Sequence, residues 1–124
     1  MKIRVLAILA GLAVDFIGSV LFAITVILIL GIFRRGWDLL SGIPTTELLL
    51  AYWIGLGFTL FGAYVTARLS APNCVLNTLL FGLLSTIPSF FFVSGYPLWF
   101  TVLCVITILP VSVAAGYAVA ARTV

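Results

Sequence analysis

"VLAILAGLAVDFIGSVLFAITVILILGIF", residues 5–33, decides the fold. Its one charge is Asp15, and the run is too long and too apolar for the surface of a soluble domain. About 20 apolar residues, each rising about 1.5 Å, cross the hydrocarbon core of a bilayer as an α-helix. Three further runs of this kind follow, so the predicted helices cover about 5–33, 48–69, 74–94 and 97–121. The strands of a transmembrane barrel alternate polar and apolar residues, and these runs do not. The chain therefore reads as all-α, a four-helix transmembrane bundle forming one integral membrane domain over residues 1–124.

Composition points the same way. The 124 residues are 65% apolar and 7% charged, where a soluble domain carries about 25% charged residues. A net charge of +3 without a basic block argues against nucleic acid as a partner. Cys74 and Cys104 form no C-x-x-C pair and read as small buried residues. There is no His, and Asp15 is the only acidic residue at depth. Neither a nucleophile with its base nor a metal-ligand set can be assembled from such a chain. No catalytic residue, metal or cofactor is expected, and the protein is not read as an enzyme. Lys2 and Arg4 ahead of an apolar stretch resemble the start of a signal peptide, but the run continues past Asp15 to Phe33, so it is read as an uncleaved first span.

Four spans place Lys2, Arg4, Arg68 and Arg122 on one side and Arg34 and Arg35 on the other. The excess of positive charge predicts a multi-pass inner (plasma) membrane protein with both termini in the cytoplasm. Arg68 and Arg122 serve as topology anchors that snorkel to the interface. Trp37, Leu39, Leu40 and Ile43 suggest that the first loop lies on the membrane surface, with Thr45 or Thr46 capping the second helix. Pro72 and Asn73 make the middle turn, and Pro97 starts the last helix between the interfacial aromatics Tyr96 and Trp99. "GAYVTAR" (62–68) and "GYAVAAR" (116–122) share the pattern G-x-x-V-x-A-R, and Gly11 and Gly82 both precede a Leu and, four residues on, Asp15 or Thr86. The chain thus reads as a duplicated helical hairpin.

Spacing of four places residues on one helix face. Gly11, Asp15 and Ser19 share a stripe, as do Gly55, Thr59 and Ala63 on the second helix and Ser112 and Gly116 on the fourth. Such small-residue stripes mark helix contacts in lipid, so Gly11, Gly55, Ala63 and Gly116 are predicted packing positions and Asp15 faces other helices. Asp15 lies about ten residues, or about 15 Å, inside the first span, near the midplane. The same count on the other helices reaches Thr59, Ser85 or Thr86, and Ser112, with Pro88 and Pro110 adjacent and Tyr64 and Tyr117 on the cytoplasmic side of the layer. The expected site is a midplane polar cluster centred on Asp15 and held by a hydroxyl. A charge at that depth costs about 2.5–3.5 kcal/mol on insertion scales, and no Lys or Arg lies level with it.

"AGLAVDFIGS", "GAYVTARLS", "NTLLFG" and "AAGYAVA" together resemble an uncharacterised group of small four-span bacterial membrane proteins, which implies fold and location but no activity. Asp15-Phe-Ile-Gly18-Ser19 also resembles the first-helix pattern of the small multidrug resistance transporters. That resemblance implies an Asp15 that binds protons and a cationic substrate in turn within a homodimer. The chain has Asp where that family has Glu, and its third helix offers Ser, Pro and Phe in place of the family's aromatic motif. Two functions follow. One is an accessory, structural or assembly membrane protein, with Asp15 as structural glue. The other is a proton-coupled small-molecule transporter in which Asp15 titrates. Either is expected to sit among membrane lipids as a homo-oligomer or with a larger membrane-protein partner.

Overall fold

The computed structural model describes residues 2–33, 45–91 and 97–123, with the side chains at 26–27, 30–33 and 45–47 left aside. Four helices make up the described chain: α1 (Val5–Phe33), α2 (Thr45–Leu69), α3 (Cys74–Phe91) and α4 (Leu98–Thr123). All four are long and apolar enough to cross a membrane. The all-α bundle and its four spans are therefore as the sequence predicts. α2 begins three residues earlier than expected (45 against 48), and α4 follows Pro97, whose carbonyl accepts from Phe100 N at 3.1 Å and Thr101 N at 3.4 Å. The surface loop with Trp37, the charges Arg34 and Arg35, Tyr96, the cap at Thr45 or Thr46, and the predicted end of the third helix at 92–94 lie outside the described residues.

α2 and α3 form the shared centre, and each packs against both α1 and α4, which lie on opposite flanks without an extensive interface of their own. The reason is visible in the glycines. A Cβ on Gly62 would lie 2.7 Å from the carbonyl oxygen of Gly11, and one on Gly11 would lie 2.6 Å from that of Gly62. The two backbones therefore touch directly, an approach that only residues without side chains permit. Phe81 of α3 covers this crossing: its ring atoms lie 3.0 and 3.2 Å from the same two positions, and it is 0% exposed. Ile8, Ala63 and Ala115 complete the core around it, with Leu12 and Leu80 alongside. A second apolar cluster of Ala67, Cys74 and Val119 lies near the turn Ser70–Asn73, which includes a cis Ala71–Pro72 peptide bond.

The second hairpin crosses in a related way. A Cβ on Gly82 of α3 would lie 3.0 Å from Ser112 of α4, and one on Gly116 of α4 would lie 3.1 and 3.3 Å from Val75 and Thr78 of α3. The repeated glycines thus occupy both crossings but in shifted register. In the first hairpin they meet each other, whereas in the second each meets a partner one turn away. Gly55 departs from its expected packing role, because a Cβ there would meet nothing within 4 Å. It shares the stripe of Thr59 and Ala63, but the close approach to α1 is at Gly62.

A side chain at Gly62 must push apart two backbones, so Gly62→Val is expected to destabilise the bundle by about 1–3 kcal/mol or more. Gly55→Ala, in open space within α2, should leave stability unchanged or raise it by up to about 1 kcal/mol. Reversible unfolding of the two variants in mixed micelles checks the contrast; equal losses would refute the crossing.

Candidate functional site

The site begins one turn beyond the glycine crossing. Asp15 follows Gly11 on the same face of α1, and its Cβ is 3.2 Å from the Cβ position of Gly62. Its carboxyl therefore lies against α2, where the Thr59 hydroxyl donates to Oδ1 at 3.1 Å and also approaches the Gly55 carbonyl at 3.2 Å. Ser85 of α3 flanks the same carboxyl. Its Oγ is shielded from solvent and makes no hydrogen bond. Between Ser85 and Thr86, left open by the count of depth, it is Ser85 that turns toward Asp15.

The other expected members lie elsewhere. Thr86 and Ser112 are buried, but their hydroxyls donate to their own helices, at Leu83 O (2.6 Å) and Ile108 O (2.8 Å). Ser112 packs on Gly82 in the α3–α4 crossing, and Thr86 shares the Gly82 face of α3. The predicted layer is thus two separate groups: Asp15, Thr59 and Ser85 at the α1–α2–α3 junction, and Thr86 and Ser112 between α3 and α4. Tyr64 and Tyr117 belong to neither, being 39% and 63% exposed on the outer faces of α2 and α4. Pro88 and Pro110 are also exposed, so they do not face the cluster.

Burial along α1 and α3 shows how the junction is shaped. At the end that carries residues 2–4, Ile8 is 5% exposed and Asn77 and Phe81 are wholly buried. At the level of Asp15 and Ser85 both residues are half-buried, and further along α1 Ala23 is exposed. The seam between α1 and α3 is therefore closed around Phe81 and only half-covered at Asp15 and Ser85. Beyond this point α1 leans on Phe58 of α2, which Gly18 admits and Phe22 faces at 6.5 Å between ring centres. Phe16, Ile17, Leu21, Ile24, Leu28 and Ile29 are exposed.

A second polar focus, which the sequence reading did not single out, is Asn77. It is wholly buried; Arg4 N donates to its Oδ1 at 2.8 Å, and its Nδ2 donates to Asn73 O at 2.8 Å and Lys2 O at 3.4 Å. The predicted anchor Arg68 stacks its guanidinium 5.9 Å from the centre of the Tyr64 ring, and Arg122 is exposed in the last turn of α4. Among the described residues no three His, Cys, Asp or Glu side chains converge as metal ligands.

Thr59→Val removes the 3.1 Å hydrogen bond to Asp15 and is expected to cost about 0.6 kcal/mol or somewhat more. Ser85→Ala removes a shielded hydroxyl that lies beside the carboxyl outside hydrogen-bond geometry, so it should cost less than Thr59→Val. Unfolding of both in detergent checks the sign of the difference. Comparison with known proteins finds no family model, no curated protein and no solved structure that matches this chain.

Proposed function

We propose that this polytopic membrane protein is an accessory or assembly subunit of the inner (plasma) membrane, with both termini cytoplasmic, which presents α1 and the Asp15 seam to a membrane partner. The observation that supports this reading is the opening of the α1–α3 seam at Asp15 and Ser85. A half-buried carboxyl is costly against hydrocarbon. A helix from another membrane protein, or from a second copy, would cover the open side of the Asp15 carboxyl and supply it with a further hydrogen bond. The remaining polar groups favour support over passage. Thr66, Thr78, Thr86, Thr107 and Ser112 spend their hydroxyls on carbonyls of their own helices, and Phe81 fills the centre.

The same half-open junction also favours a second reading, a proton-coupled small-molecule transporter with Asp15 as the titrating residue. Because Phe81 blocks the interior of one copy, that activity would need a homodimer.

A photo-crosslinking side chain at Ser19, on the open seam, and at Val102, on the outer face of α4, separates the readings in native membranes. The accessory reading expects a discrete protein adduct from Ser19 and lipid adducts from Val102. Absence of a protein adduct at Ser19 would overturn it. Proton entry into proteoliposomes that is abolished by Asp15→Asn, in a variant that still folds, would establish the transporter in its place.

A further inference from the structure

Lys2, Arg4, Arg68 and Arg122 share one end of the bundle, and among the described residues no acidic side chain lies at that end. Of the three acidic residues, Asp15 lies deep in α1, Asp38 falls between α1 and α2 in sequence, and Glu47 is in the first turn of α2, at the opposite end from Arg68. Two of the four cations are fixed in place. Asn77, through its bonds to Arg4 N and Lys2 O, fastens the segment before α1 to the first turn of α3. From that position Arg4 Nη1 donates to Leu69 O at 3.1 Å, at the last residue of α2. This contact offsets the partial negative charge of the helix end, which would otherwise repel an anion. It uses one of the five guanidinium N–H donors and leaves the rest on an exposed side chain. Arg68, one residue before Leu69, is held over the Tyr64 ring on the outer face of α2. Leu60, Phe61, Tyr64 and Leu69 are exposed on that helix below the two arginines.

We propose that this corner is a binding site for an anionic phospholipid. Arg4 and Arg68 hold the headgroup phosphate, and the acyl chains lie along Phe61 and Tyr64. Guanidinium groups match phosphate oxygens with paired N–H donors, and the adjoining apolar face selects an amphiphile over a free anion. The site is a property of two placed arginines rather than of the net charge at this end.

Native mass spectrometry of the intact protein in detergent, titrated with phosphatidylglycerol, phosphatidylcholine or inorganic phosphate, tests this. Phosphatidylglycerol should bind in preference to phosphatidylcholine, and inorganic phosphate should not displace it. Arg4→Gln and Arg68→Gln should each weaken phosphatidylglycerol binding about fivefold. Arg122→Gln, which removes the same charge from the same end, should leave it unchanged. Arg68 makes no hydrogen bond to another helix among the described residues, so Arg68→Gln keeps the test valid if Arg4→Gln impairs folding. Equal weakening by all three variants would reduce the effect to diffuse attraction and overturn the proposal. So would displacement by inorganic phosphate, which would make the corner a free-anion site.

Discussion

The backbone contact between Gly11 and Gly62 is the constraint on which the rest of the bundle depends. In lipid the hydrophobic effect does not draw apolar helices together, so association rests on close packing and a few hydrogen bonds. Two glycines at one crossing let α1 and α2 touch through their main chains. The shallow surface this creates is what Phe81 covers, and Phe81 brings α3 against both helices. Asp15 meets Thr59 because it sits one turn from that crossing on the same face. Widening the crossing would loosen the core and the polar junction together.

Polar side chains in the bundle follow the cost of leaving a donor unsatisfied in hydrocarbon. Most threonines and serines fold back on a carbonyl three or four residues earlier, which satisfies the hydroxyl without a partner helix. Thr59 divides its hydroxyl between such a carbonyl and Asp15, and Ser85 does neither. Among the described residues the hydroxyl shared with a carboxyl, that of Thr59, and the fully shielded one without a hydrogen bond, that of Ser85, both lie where α1 and α3 are only half-covered, which makes that junction chemically distinct from the other helix contacts.

Much of this was legible in the sequence. Apolar run length located all four helices, because the bilayer fixes how many residues a span needs. Counting depth from the helix ends placed Thr59 level with Asp15. Other features depend on rotation and crossing angle, which spacing does not specify. Ser85 and Thr86 are adjacent, and a turn of about 100° per residue sends one toward α1 and the other along the Gly82 face. Gly55 and Gly62 both lie on small-residue faces of α2, yet only one coincides with the point of contact. Tyr64 and Tyr117 lie near the expected depth but on the outer faces. Asn77 reads in sequence as an ordinary first-turn residue, since its partners are backbone groups of Lys2 and Arg4, more than seventy positions away.

The glycine crossing also divides α1 into arms of unequal length. Asp15 lies about 6 Å along the helix from Gly11, and Phe33 about 33 Å. Phe81 and Asn77 restrain the short arm, whereas the long one rests on α2 at Thr59 and Phe58 with exposed side chains lining much of the rest, so a tilt of α1 would pivot near Gly11. A tilt that moves Asp15 by about 1 Å relative to Ser85 carries the far end of α1 by about 5 Å, in proportion to those lengths. Such a tilt would gear the spacing of the carboxyl and its neighbouring hydroxyl to the attitude of the helix at the opposite membrane surface.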